Sequence, residues 1–453
     1  MAFRKSDGST VALPYSSASA ESNSAAVNPP DTHIWGVYWT IVLFSIVELY
    51  SASSFEISKQ GLYGPLLRHM MFLALGFVII LVAQRIHFKH FKRLGRWMWW
   101  GSAIAMIYVM NFGQVINGAR RAINLGFMSL QPAEFIKIST VLYIAAILSE
   151  TQLKKSEGLR NRGIVQAALV VIASGGLLFS QGLTNTALLM GISISMMLIG
   201  AIEWRKFMVV LCIYCIVGAM GMGVKMMMTK DNVDASPKLE LYDPQGMKWV
   251  INAKDNSGDM AQSRIEDNTW RNRIKAWLGD GTPKYEQDIT QKNLQEMRSY
   301  MAQAHGGWHG VFPGNSRETA RLPLAFSDYI FAIIVEDWGF IGAIGLMVLY
   351  LWLLARAHFV AGHCTKAYPA FLVTGMAVMI ALQALCHMAI VSGAGPVSGQ
   401  PLPLFSKGGT SILVTSMAIG IMLSVSRYAV RTDAKAAVRH SEAENLPESI
   451  RAD

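Results

Sequence analysis

Long apolar runs alternate with shorter polar ones along most of the chain, and each run has roughly the 20 residues that an α-helix needs to cross a bilayer core. Ten such segments are predicted, at about 34–53, 67–84, 97–112, 133–149, 164–181, 184–203, 207–227, 329–355, 369–391 and 409–427. A long polar stretch, 229–327, separates the seventh from the eighth. The pattern predicts an all-α polytopic membrane protein, with ten transmembrane helices and a large extracytoplasmic loop between helices 7 and 8. Residues 1–33 are rich in Ser, Ala and Asn and lack an apolar core, so they predict a disordered tail rather than a cleaved signal; residues 429–453 form a second polar tail. Within the polar stretch, Trp270, Ile274, Trp277 and Leu278 recur at helical spacing. That spacing fits an amphipathic helix on the membrane surface and equally a solvated helix with one packed face.

Charge orients these segments. The 453 residues are 52% hydrophobic and 15% charged, which excludes a soluble multidomain protein. Arg85, Lys89, Lys92, Arg93 and Arg96 follow the second segment, Lys154, Lys155, Arg160 and Arg162 the fourth, and Arg427, Arg431, Lys435 and Arg439 the tenth. By the positive-inside rule these loops are cytoplasmic, which puts both termini in the cytoplasm and residues 229–327 outside. The net charge of +10 therefore answers to anionic membrane lipids and not to nucleic acid, for which no base-reading motif is present. The four cysteines, Cys212, Cys215, Cys364 and Cys386, make no disulfide framework, and the CxxC lies in an apolar run without histidine. His305 and His309 sit among Gly306, Gly307 and Gly310, which argues against a helical zinc pair.

Four places carry candidate chemistry. In LPLAFSDYIFAIIVEDWGF, Asp328 stands where the polar loop meets an apolar span, while Glu336 and Asp337 fall inside that span, where ionised groups are costly. A carboxylate at a helix start is also a common N-terminal cap, so both readings of Asp328 stand. Arg120 and Arg121 lie on the side where positive charge is not expected, and two guanidinium groups there suit a phosphate or diphosphate. Glu134 and Lys137 share one helical face at i and i+3, as a substrate-facing pair or as a strut between helices. In SKGGTS, Ser406, Lys407, Gly408 and Gly409 either present backbone N–H groups to phosphate or form a re-entrant turn; the spacing is not that of a Walker A loop.

Taken together, YSAS, GARRAINLGFMSLQPAEFIK, GGWHGVFPGNS, LPLAFSDYIFAIIVEDWGFIG and GPVSGQPLPLFSKGGTSILVTSMAIGIMLSVSR, in this order, resemble the SEDS family of shape, elongation, division and sporulation proteins, the FtsW and RodA group. The resemblance covers all ten segments. It implies a bacterial inner-membrane peptidoglycan glycosyltransferase that polymerises lipid II into glycan strands and releases undecaprenyl diphosphate. It also implies a class B penicillin-binding protein as transpeptidase partner and, for the division-type branch that the GNS favours, divisome proteins. A lipid II flippase and an elongation-type polymerase are the alternatives. The family's essential acid falls on Asp328, its substrate-binding residues on Arg120, Arg121, Glu134, Lys137 and the loop Ser406, Lys407, Gly408 and Gly409, and a supporting glutamate on Glu336. No cofactor is certain; a divalent cation, Mg or Mn, is a candidate beside the arginines and Lys407 for the leaving diphosphate, with its ligands unknown. The chain departs from the family pattern at Ala122 (usually Trp), Leu183 (usually acidic), His387 (commonly Asn) and Lys407 (usually Tyr).

Overall fold

The computed structural model describes residues 29–52, 63–116, 119–124, 129–152, 159–228, 277, 289, 293–319, 322, 327–396 and 398–428. Eleven helices are used below: α1 (Thr32–Ala52), α2 (Tyr63–Ala83), α3 (Phe88–Phe112), α4 (Pro132–Thr151), α5 (Asn161–Phe179), α6 (Leu183–Ile199), α7 (Trp204–Met228), α8 (Leu294–Gly306), α9 (Ile330–Gly362), α10 (Ala367–Val391) and α11 (Gly409–Tyr428). Eight of them, α1, α2, α4, α5, α7, α9, α10 and α11, are long and apolar enough to cross a membrane among the described residues. Helices α3 and α6 cover the third and sixth predicted segments but fall short of that measure, α6 by its 17 residues. The chain is a multi-pass membrane protein.

Three helices, α4, α10 and α11, are buried on nearly all sides and form the centre, while α7 is almost wholly peripheral. Their neighbours keep large apolar side chains on the outside, such as Leu67, Val78, Trp97, Ile104, Val165 and Trp352, because the outward face meets lipid rather than water. With no hydrophobic drive between helices in lipid, close packing takes over. Gly409, for example, is where α11 crosses α2, and a methyl there would lie 2.6 Å from the Phe72 ring.

Two features go beyond the expected all-α, ten-helix pattern. The segment between the third and fourth predicted spans is a small antiparallel sheet, β1 (Gln114–Ile116), β2 (Ala119–Asn124) and β3 (Ser129–Leu130), in the order β1-β2-β3. Val115, Ile116 and Ile123 favour strands, and ladder bonds satisfy backbone that would otherwise lie unpaired.

The second departure lies in the eighth predicted span, 329–355, which runs on to Gly362 and is interrupted at Gly339, with φ +67°. A Cβ there would collide with the backbone of Trp308 and Gly310, so the position requires glycine on both counts. The interruption frees the carbonyls of Glu336 and Asp337, which accept from Val311 N (2.9 Å) and Phe312 N (2.8 Å), while Phe340 N donates to the Gly307 carbonyl (2.9 Å). A polar loop thus substitutes for missing helix bonds, as backbone inside a membrane protein must arrange.

At the other end of the bundle Asp31 caps α1, accepting from His33 N and Ile34 N, and receives Arg356 of α9 at 2.7–3.1 Å. Its own N–H donates to Ser426 of α11. Helix α1 therefore starts within the predicted 1–33 tail. The rest of that tail apart from residues 29–31, the tail 429–453, and most of 229–327 with Trp270, Ile274 and Leu278 lie outside the described residues; the part of the loop that is described includes α8.

Candidate active site

The last glycine-rich loop, 398–409, is held by long-range bonds on its backbone. From α10, Gln383 Nε2 donates to the Pro401 carbonyl (3.3 Å) and His387 Nδ1 to the Gln400 carbonyl (2.6 Å). From α9, the Tyr350 hydroxyl donates to the Pro403 carbonyl (2.6 Å). Ser406 Oγ accepts from Leu402 N and donates to the Ser327 carbonyl, both at 2.8 Å, tying the loop to the turn that carries Asp328. Thr410 bonds β3 through the Ser129 carbonyl and accepts from Gln131 N.

This clamping brings three remote segments to one point. Gly399, at φ +63°, presents one face to both Asp328 and Arg121: a methyl on it would lie 3.3 Å from Asp328 Oδ2 and 3.6 Å from Arg121 Nη1. Asp328 is half-buried in the turn before α9 and accepts from Ser327 Oγ at 3.0 Å. Arg120 does not join it. Successive side chains of a strand point to opposite faces, so on β2 Arg120 is exposed and bonds the Asn111 carbonyl while Arg121 faces Gly399.

The other predicted residues divide between chemistry and support. Glu134 and Lys137 form an ion pair at 2.7 Å with both residues almost fully buried, and Lys137 Nζ also reaches Gln383 Oε1 at 3.5 Å. The pair is thereby linked through Gln383 to Pro401 of the clamped loop. Ser406 is buried and spent on the loop's own staples, Gly409 is explained by the Phe72 ring, Gly408 N donates to the Ser406 carbonyl, and Lys407 is half-buried beside them. Glu336 is fully buried and accepts from His305 Nδ1 (2.9 Å), Ser316 Oγ (2.5 Å), Arg317 N (2.9 Å) and Glu318 N (3.3 Å), so it pins the 305–319 loop.

Gln383 and His387 carry the clamp, and their signal was two polar residues four apart in an apolar span. Among the described residues no group of three His, Cys, Asp or Glu side chains is placed to hold a metal ion. The described protein groups therefore do not by themselves fit a divalent cation.

The family model described as "Cell cycle protein", of FtsW, RodA and SpoVE type, matches residues 31–243 and 261–431. The chain belongs to this family, the SEDS proteins. Among curated SEDS relatives it is 27% identical over 403 residues to the probable peptidoglycan glycosyltransferase FtsW of Coxiella burnetii, covering 86% of this chain and 95% of that one. It is 26% identical over 415 residues to the stage V sporulation protein E of Bacillus subtilis, covering 88% and 97%. In fold it is similar to the rod shape determining protein RodA of Thermus thermophilus, solved as a D255A mutant, with TM-score 0.59 and 20% identity over 89% of this chain and 99% of that one. A chain from a structure on "structural coordination of polymerization and crosslinking by a peptidoglycan synthase complex" matches with TM-score 0.63 and 22% identity, covering 88% and 98%.

Proposed function

We propose that this SEDS protein is a peptidoglycan glycosyltransferase of the division type, which polymerises lipid II for septal wall synthesis. The observation that carries the reading is the convergence of a carboxylate, Asp328, and a guanidinium, Arg121, on the same face of Gly399. Glycan growth needs the acceptor sugar's 4-hydroxyl to attack the donor's anomeric carbon. As the new C–O bond forms, the hydroxyl proton passes to Asp328 and the bond to the diphosphate breaks. Undecaprenyl diphosphate leaves with the electron pair, and Arg121, with Arg120 and Lys407 nearby in sequence or loop, supplies the positive charge that stabilises it. The Glu134–Lys137 pair holds the loop in register through Gln383.

In this reading α3 and α6 complete ten spans, both termini are cytoplasmic, and the sheet, α8 and the 398–409 loop face outward in the bacterial inner membrane. A reporter fused after Arg439 then reads cytoplasmic and one inserted near Asn256 reads extracytoplasmic; both on one side would sink this topology. The partner is a class B penicillin-binding protein that cross-links the product, a reading supported by the family and by the likeness to a chain of a peptidoglycan synthase complex.

The test is glycan polymer formed from lipid II by the purified protein with its transpeptidase partner. The wild type makes polymer. Asp328→Asn, nearly isosteric, loses roughly 10²–10⁴ in rate with an unchanged thermal midpoint. A near wild-type rate for that variant overturns the base assignment. A wild type that translocates lipid II across vesicles but never polymerises it is a flippase.

A further inference from the structure

The strongest unassigned surface lies on α3. The helix buries one side, with Phe91, Gly95, Trp99, Ser102 and Met106, and a methyl on Gly95 would lie 2.7 Å from Leu142 Cβ of α4. The opposite side is open. At 3.6 residues per turn Lys89, Arg93, Arg96, Trp100, Ile104 and Ile107 fall within an arc of roughly 80°, and all six are exposed. Along the helix that single stripe runs from three cations through an indole to aliphatic side chains.

This order matches a section through one leaflet of a bilayer. Ile104 and Ile107 belong to the lipid-facing exterior, and an indole sits where acyl chains meet headgroups. Arg96 and Arg93 follow about one and two turns beyond Trp100, and Lys89 about one turn further, so the three cations lie within about 10 Å along the axis at headgroup level. The protein neutralises the base that faces inward. Lys92, off the stripe, pairs with Glu150 at 3.0 Å and lies 5.8 Å from the centre of the Tyr368 ring. Lys89, Arg93 and Arg96 have no ion pair among the described residues, and no acid stands between residues 85 and 100. His87, the cap of α3, feels the same uncompensated charge: burial, then Lys89, His90 and Lys366, hold its imidazole below the ordinary pKa.

We propose that Lys89, Arg93 and Arg96 hold the phosphate of an anionic phospholipid whose acyl chain lies along Trp100, Ile104 and Ile107. Guanidinium groups bond phosphate oxygens in pairs, and the indole gives the chain a rigid apolar wall. What the net charge gives only as a general attraction to anionic lipid, this stripe concentrates on one face of one helix. On the proposed topology the site lies in the cytoplasmic leaflet, across the bilayer from Asp328, and it does not depend on the polymerising reaction.

The test uses the full chain in detergent, titrated with phosphatidylglycerol or phosphatidylcholine, with bound lipid counted by native mass spectrometry. The wild type is expected to retain phosphatidylglycerol in preference to phosphatidylcholine. Lys89→Gln with Arg93→Gln and Arg96→Gln weakens that binding roughly 100-fold, a factor of about five per cation, at an unchanged thermal midpoint. An equal loss of exposed charge elsewhere, Arg160→Gln with Arg162→Gln and Arg205→Gln, leaves it within about 2-fold, because charges beyond a Debye length are screened. Exchanging the cations, Lys89→Arg with Arg93→Lys and Arg96→Lys, keeps most of the affinity. Equal weakening by the two charge-removing triples reduces the effect to bulk charge and overturns the site. A second measurement needs no charge variant: the emission that Trp100 contributes, taken as the difference between wild type and Trp100→Phe, is quenched more by phosphatidylglycerol with brominated chains than by brominated phosphatidylcholine at equal dose. Equal quenching overturns the site even where the triple variant fails to fold.

Discussion

Two glycine-rich loops each pack against helix α9, and they spend their polar groups in opposite ways. In 305–319 the bonds converge on buried carboxylates: Glu336 takes four donors, and Asp337 takes Ser51 Oγ, which itself accepts from Gly314 N. In 398–409 the bonds grip backbone carbonyls from behind, at Gln400, Pro401 and Pro403, so side chains at the front face a cavity and Asp328. A carboxylate saturated by fixed donors is a strut, because its lone pairs are spent; one at the rim of a cavity can take a proton from a ligand. On the proposed reading this separates Glu336 from Asp328, only eight residues apart.

The largest stability effect is expected at the pair behind the second loop. Lys137→Met leaves Glu134 buried without its cation and is expected to cost about 3–5 kcal/mol, seen as a sharp fall in thermal midpoint and membrane yield. Adding Glu134→Gln recovers much of it, since both charges are then gone. A stable single variant that is merely inactive would move this pair from support to chemistry and blur the contrast.

Glu336→Gln is next. It exchanges charge-assisted bonds for weaker ones and mismatches one donor, at about 2 kcal/mol, with easier proteolysis inside 305–319 and near-normal turnover in the intact fraction. A collapse of turnover at unchanged stability would make Glu336 a reacting group and break the comparison.

The smallest effect is a control remote from both loops. Burial alone would raise the Asp31 carboxyl, but Arg356 and the N–H groups of Ile34 and His33 outweigh it and hold its pKa below the ordinary 3.8. A depressed carboxyl stabilises the fold above its unfolded pKa and loses that contribution as pH falls through the lower folded value. The thermal midpoint of the wild type should therefore carry an acid-dependent component below about pH 4 that Asp31→Asn lacks, worth about 1–2 kcal/mol. Turnover per folded molecule at neutral pH should not change. A loss of turnover there would tie the site to the far end of the bundle.

Much of this was legible in the residue order. Segment length and apolarity place the helices because transfer into a bilayer is nearly a local sum over some twenty residues. The i,i+3 spacing of Glu134 and Lys137 was enough to predict an ion pair, since helix geometry alone brings such residues together. Asp328 stood out for the same local reason, a charge where polarity changes abruptly.

Other facts needed the tertiary structure. The facing of Arg121, and not Arg120, toward Asp328 depends on β2, a strand that the all-α expectation did not include, because alternation along a strand decides which guanidinium turns inward. The strut role of Glu336 depends on the interruption at Gly339, which opens backbone groups that only a neighbouring loop can satisfy. The meeting of residues 121, 328 and 399 rests on Gln383, His387, Tyr350 and Ser406, each bonding a partner that helix packing supplies. Transfer free energy along the chain says how deep a segment sits, and it is silent on which segments become neighbours; that choice is made by close packing and by the demand that every buried polar group find a partner.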